Sequence, residues 1–105
     1  MKVKWTEYAI AQRKQVANYI RRQFGAKRKT QFLQEVRETT KQLRHSPNIG
    51  PIAPLYADLT MTYRSVIING LNKMVYFIKD DIIYIVDFWD TARADESSCE
   101  DAIKP

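Results

Sequence analysis

Three runs rich in β-branched and aromatic residues, 64–68, 73–78 and 82–89, follow one another with little between them. Asn69-Gly70 is a strong hairpin signal between the first two, although Leu71 and Asn72 can lengthen the turn, and Lys79-Asp80-Asp81 closes a second hairpin. The expected product is a three-stranded antiparallel meander. Such a sheet is not stable alone and needs a partner layer on its apolar face, lined either by Met74, Tyr76 and Ile78 or by their neighbours Val75 and Phe77.

The preceding residues supply that layer. Thr6 is an N-cap candidate with Glu7 in the following turn, where a carboxylate suits the helix dipole. Ala9, Val16, Ala17, Ile20 and Phe24 then fall on one side of a helix over 6–24, and Gly25 is its C-cap candidate. A second helix is expected over 29–44, with Phe32, Val36 and Leu43 at helical spacing, ending at His45-Ser46-Pro47. With 26–28 as their connection, the two should form an antiparallel pair. Lys2-Val3-Lys4-Trp5 alternates basic and apolar side chains and suits a short N-terminal strand. Pro47, Gly50, Pro51 and Pro54 mark 46–54 as a loop inside one domain. The whole is an α+β chain of 105 residues, one domain, with an acidic tail from about residue 95 expected to be loosely ordered.

Charge is divided unevenly. Residues 1–45 carry twelve Lys or Arg against three acids, whereas 46–105 carry five against nine. The basic half suits an anionic partner or merely a solvated helical face. Neither a membrane-spanning run nor a secretory-type leader is evident, and the single Cys99 fits a reducing compartment, so a soluble cytoplasmic protein is expected.

Familiar catalytic signatures are missing. One His and one Cys are too few for a Cys/His zinc site, and there is no Gly-rich phosphate loop, G-x-S-x-G or H-E-x-x-H; no cofactor or metal is implied. His45 is better placed to meet a helix C-terminus than to act as a base. Asp87 and Asp90 lie three apart on or near a strand, so they should face opposite sides. Trp5 and Trp89, beside apolar neighbours, read as core or interface residues.

The order of strand, two helices, Pro/Gly loop and meander is similar to that of the RelE/ParE toxins. Local motifs agree with the family's opening, Trp5-Thr6-Glu7-Tyr8-Ala9, with its first-helix ending, Tyr19-Ile20 and Phe24-Gly25, and with its loop, Ser46-Pro47-x-x-Gly50. Its meander resembles Tyr63-Arg64-Ser65, then the run from Lys73 through Asp80-Asp81 to Ile85, then Phe88-Trp89-Asp90-Thr91-Ala92-Arg93. The resemblance implies the toxin of a type II toxin-antitoxin (plasmid stabilisation or addiction) module, neutralised by a cognate antitoxin from the same operon.

Two target classes divide that family. RelE-like members cleave mRNA in the ribosome with basic residues on the sheet and without a metal; ParE-like members inhibit DNA gyrase and lack that set. By position Arg64, Lys73 and Arg93 would stand in for the basic cluster. Val66 is apolar where a second basic residue of the RelE-like strand is expected, and no Tyr or His follows Arg93 as a proton donor. The ParE-like, non-nucleolytic reading is therefore preferred. The alternatives are a ribosome-dependent endoribonuclease and an antitoxin-binding domain without toxicity.

Overall fold

A computed structural model describes residues 1–53 and 62–90, apart from the side chain of Asp90. In chain order the elements are β1 (Lys2–Trp5), α1 (Glu7–Phe24), α2 (Ala26–His45), β2 (Arg64–Ile68), β3 (Asn72–Lys79) and β4 (Ile82–Asp90). The meander is present, as is the N-terminal strand. The acidic tail lies outside the described residues.

Thr6 caps α1 as its sequence suggests, its hydroxyl accepting from the Ala9 N–H at 3.1 Å. The connection between the helices is shorter than expected, because Gly25, at φ 93°, makes the reversal by itself and leaves residues 26–28 free to be helical. Its N–H donates to the Arg21 carbonyl and its carbonyl accepts from the Lys29 N–H, so one residue serves both helix ends. Phe24 departs from the expected apolar stripe. As the last residue of α1 it projects past the cover of the sheet and is 68% exposed.

The sheet order is β1-β4-β3-β2. β1 lies parallel to β4, with Val3 opposite Ile83 and Trp5 opposite Ile85; its pairing partner was not evident from the sequence. Both tight turns behave as their residues suggest. Asn69 and Gly70 have positive φ, and Leu71 extends that loop to three residues, since Ile68 pairs with Asn72. Asp80 and Asp81 are both in the left-handed region, in a two-residue turn between Lys79 and Ile82 that matches the twist of the flanking strands.

Both helices cover one face of this sheet. The core joins Ala9, Ala17 and Ile20 of α1 and Phe32, Val36 and Leu43 of α2 to Met74, Tyr76, Ile83, Ile85 and Phe88. Of the two alternations open for β3, Met74, Tyr76 and Ile78 face inward. Val75 joins a smaller cluster with Ala53, Tyr63, Val86 and Trp89, and an aromatic ladder of Tyr63, Phe77 and Tyr84 continues beside it.

The register slips once. Val75 pairs with Asp87 and Tyr76 with Ile85, so Val86 is an inserted residue in β4. A side chain from α1 meets the disturbed ladder: the Phe88 N–H donates to Gln12 Oε1 at 2.9 Å, and to Asp87 Oδ1 at 3.0 Å. Immediately beyond, Phe88 packs its ring edge-on against Phe32 and tilted against Trp5. Phe88→Ala is expected to cost about 3–5 kcal/mol by opening a cavity where both helices meet the sheet, measured by equilibrium chemical denaturation. Phe88→Leu should cost substantially less.

Candidate functional site

Arg64 begins β2 opposite Tyr76, which faces the helices, and Lys73 of β3 lies opposite Ile67 of β2 and Trp89 of β4. Tyr76 and Lys73 are three residues apart on an unbroken strand. Alternation therefore puts Arg64 and Lys73 on opposite faces of the sheet, separated by about 10 Å along the strand direction. The structure does not bring these two cations to one point. Arg93 lies outside the described residues.

Each of the two cations has local partners. Arg64 Nη1 donates to the Gly50 carbonyl at 2.9 Å. Lys73 Nζ stands 5.8 Å from the centre of the Trp89 ring. Arg64 thus belongs to a polar knot holding the loop after α2. In that knot the Tyr76 hydroxyl donates to the Pro47 carbonyl at 2.7 Å and accepts from the Gly50 N–H at 3.2 Å. A Cβ on Gly50 would come within 2.4 Å of the Ser65 carbonyl oxygen and 2.9 Å of the Tyr76 hydroxyl, so the close approach requires glycine.

Burial raises the Tyr76 pKa above 10.0, opposed by the Gly50 N–H and the charge of Arg64. The phenol is neutral at physiological pH and its proton is committed to Pro47. Asp87 is buried with Oδ1 on the Phe88 N–H, and Asp90 ends β4; the side chain of Asp90 is outside the described residues. Burial, then the charge of Asp87, raises the pKa of Tyr8. His45 sits in the last turn of α2 beside Arg44.

A second feature takes its position from where β1 pairs. β1 is an edge strand: β4 occupies one side, and among the described residues no strand occupies the other. Between that open edge and α2 runs a groove with an apolar floor of Val3, Trp5, Leu33 and Val36. Its walls carry Arg13, Arg37, Lys41, Arg44 and His45 against a single acid, Glu38. The Arg13 guanidinium lies 4.4 Å over the Trp5 ring, and burial draws its pKa below the usual arginine value. Backbone hydrogen-bonding groups, apolar floor and positive walls together suit an extended or helical segment that carries acids.

This fold is that of a toxin domain from a type II toxin-antitoxin module. The family model of the ParE toxin of type II toxin-antitoxin system, parDE, matches residues 3–95, and the chain belongs to that family. A solved structure described as the chromosomal ParDE TA system from P. aeruginosa superposes with a TM-score of 0.70. It is 20% identical in sequence, with 86% of this chain and 95% of that chain covered. No curated protein matches the sequence.

Tyr76→Phe removes the hydroxyl that joins Pro47 to Gly50 and is expected to cost about 1–3 kcal/mol at neutral pH, read by thermal or chemical denaturation. The sign of the alkaline effect follows from the raised pKa. The phenol's contribution is complete below pH 10.0 and is lost as pH climbs through the higher folded value, so the Phe variant should lose less stability on passing to strongly alkaline pH.

Proposed function

We propose that this protein arrests growth by binding DNA gyrase without cleaving RNA, and that a cognate antitoxin silences it by laying an acidic segment into the groove between β1 and α2. The observation that carries the first part is the separation of Arg64 from Lys73. A nuclease that works without a metal needs cations and a proton donor converging on one phosphate. Here Arg64 holds the Gly50 carbonyl on one face, Lys73 stands by Trp89 on the other, and the phenol paired across from Arg64, Tyr76, has its proton engaged.

Support for the antitoxin site comes from charge and from the edge. The groove walls present four Lys or Arg and one Glu among the described residues, and β1 offers an unpaired side to an added strand. Burial of the apolar floor supplies affinity, while the cations favour partners of opposite charge and speed encounter. A neighbouring reading frame for a small DNA-binding protein with a flexible, acidic C-terminal segment would identify the candidate partner. Arg37→Glu with Lys41→Glu should weaken capture of that partner by about tenfold or more in titration calorimetry.

The target is tested with the Lys73→Ala, Arg93→Ala double variant, which leaves the Arg64–Gly50 contact intact. Purified unmodified protein and variant should inhibit gyrase supercoiling alike, and expression of either should stop growth. Cutting of ribosome-bound mRNA by the unmodified protein, lost in the variant, would replace this reading with the endoribonuclease one.

A further inference from the structure

The turn between α1 and α2 carries a surface that neither the core nor the groove uses. From Arg21 to Lys29 the chain holds five cations and no acid. Arg21 and Arg22 stand in the last turn of α1, where the helix dipole favours positive charge, and need no other reason. Lys27, Arg28 and Lys29 are different. They stand in the first turn of α2, against the positive end of its dipole, in a turn with no acid and no side-chain cap. Arg28 has a partner in Glu35 at 3.3 Å, while none is seen for Lys27 or Lys29 among the described residues.

Such an arrangement works against the stability of the helix it begins, and a local rule broken without structural gain is typical of a binding surface. Phe24 lies between the two sets of cations, and its 68% exposure is the highest of any large apolar side chain among the described residues. The partner must therefore offer dense negative charge together with a flat apolar group. An acidic peptide offers the charge but sets a flat ring beside it only where an aromatic residue happens to fall, not at every repeat. A nucleic-acid duplex keeps its base faces stacked inside. An anionic membrane could receive the ring, but one side chain brings little apolar area for insertion. Single-stranded nucleic acid supplies a phosphate at every nucleotide and an open base face beside it, and the guanidinium forks of Arg21 and Arg22 match phosphate oxygens.

We infer that the α1–α2 turn binds single-stranded nucleic acid, with Phe24 stacked on an unpaired base and Arg21, Arg22, Lys27 and Lys29 on the flanking phosphates. This surface is separate from the groove residues and does not depend on the gyrase reading. Contact with about four phosphates gives a salt dependence of about −3 in log affinity per log salt, each contact contributing about −0.7.

The test is fluorescence anisotropy of the full chain with a labelled oligothymidylate of about 12 nucleotides, a duplex of equal length, a poly-glutamate peptide and phosphatidylglycerol vesicles. Lys27→Glu with Lys29→Glu should weaken binding to the single strand by about tenfold or more and make the salt slope shallower by about 1.4. Phe24→Ser should weaken it by about tenfold at an unchanged slope, since stacking involves no counterion release. Circular dichroism should show unchanged helix content in both, because Phe24 and Lys27 are exposed and Lys29 is partly so. Equal affinity for duplex and single strand with no effect of Phe24→Ser would overturn the proposal. Tighter binding to poly-glutamate or to vesicles than to the oligonucleotide would also overturn it, assigning the turn to an acidic protein or to a lipid surface.

Discussion

Once the Tyr76 ring points toward the helices, the side of the sheet taken by its neighbours on β2 and β3 is decided. Alternation sends Met74 and Ile78 inward with it and leaves Lys73, Val75 and Phe77 on the other side; cross-strand pairing carries the same choice to Arg64. The hydroxyl then does a second job. It ends on the Pro47 carbonyl and the Gly50 N–H, so the loop leaving α2 is tied to the middle of the sheet rather than lying loose over it. Gly50 allows the approach, and Arg64 closes the knot from the strand edge. A buried phenol without such partners would leave an unsatisfied polar group in the core.

The same constraint bears on chemistry. Cations at strand starts invite a reading as a cluster, but antiparallel pairing sets Arg64, opposite Tyr76, three register positions from Lys73. A pleated sheet separates them by face, and each finds a local partner. The face toward the helices is filled by core. A protein-binding toxin asks less of its sheet than a nuclease does, since it needs no converging acid and base.

Recognition is better served by the edges of this molecule. β1 joins the sheet beside β4 and, among the described residues, leaves its outer side open next to a basic helix. The helix pair turns on one glycine, which places an exposed Phe24 beside a run of cations at the tip of the pair. Both features spend positive charge where folding alone does not require it. The uneven division of charge along the chain is thus concentrated on α1 and α2, in a groove and at a tip with different chemical characters.

Much of the fold was legible in the sequence, because local rules decide it. Thr6 and Gly25 bound α1 by capping and by positive φ, the spacing of Phe32, Val36 and Leu43 marks α2, and Asn69-Gly70 with Asp80-Asp81 set the two turns. The family resemblance rested on the same local signals. Other features needed the tertiary structure, because they join residues distant along the chain. Nothing near Lys2–Trp5 announces that it will lie parallel to β4, and nothing near Tyr76 announces the loop it holds. The inserted Val86, and the Phe88 N–H beyond it that donates to Gln12, are of that kind too. The sequence by itself determined which segments are helix, strand and turn, through short-range hydrogen bonding and hydrophobic period. Only the tertiary structure decided which face each cation takes, which edge stays open and why Phe24 is bare, since those follow from strand register and from where the covering layer ends.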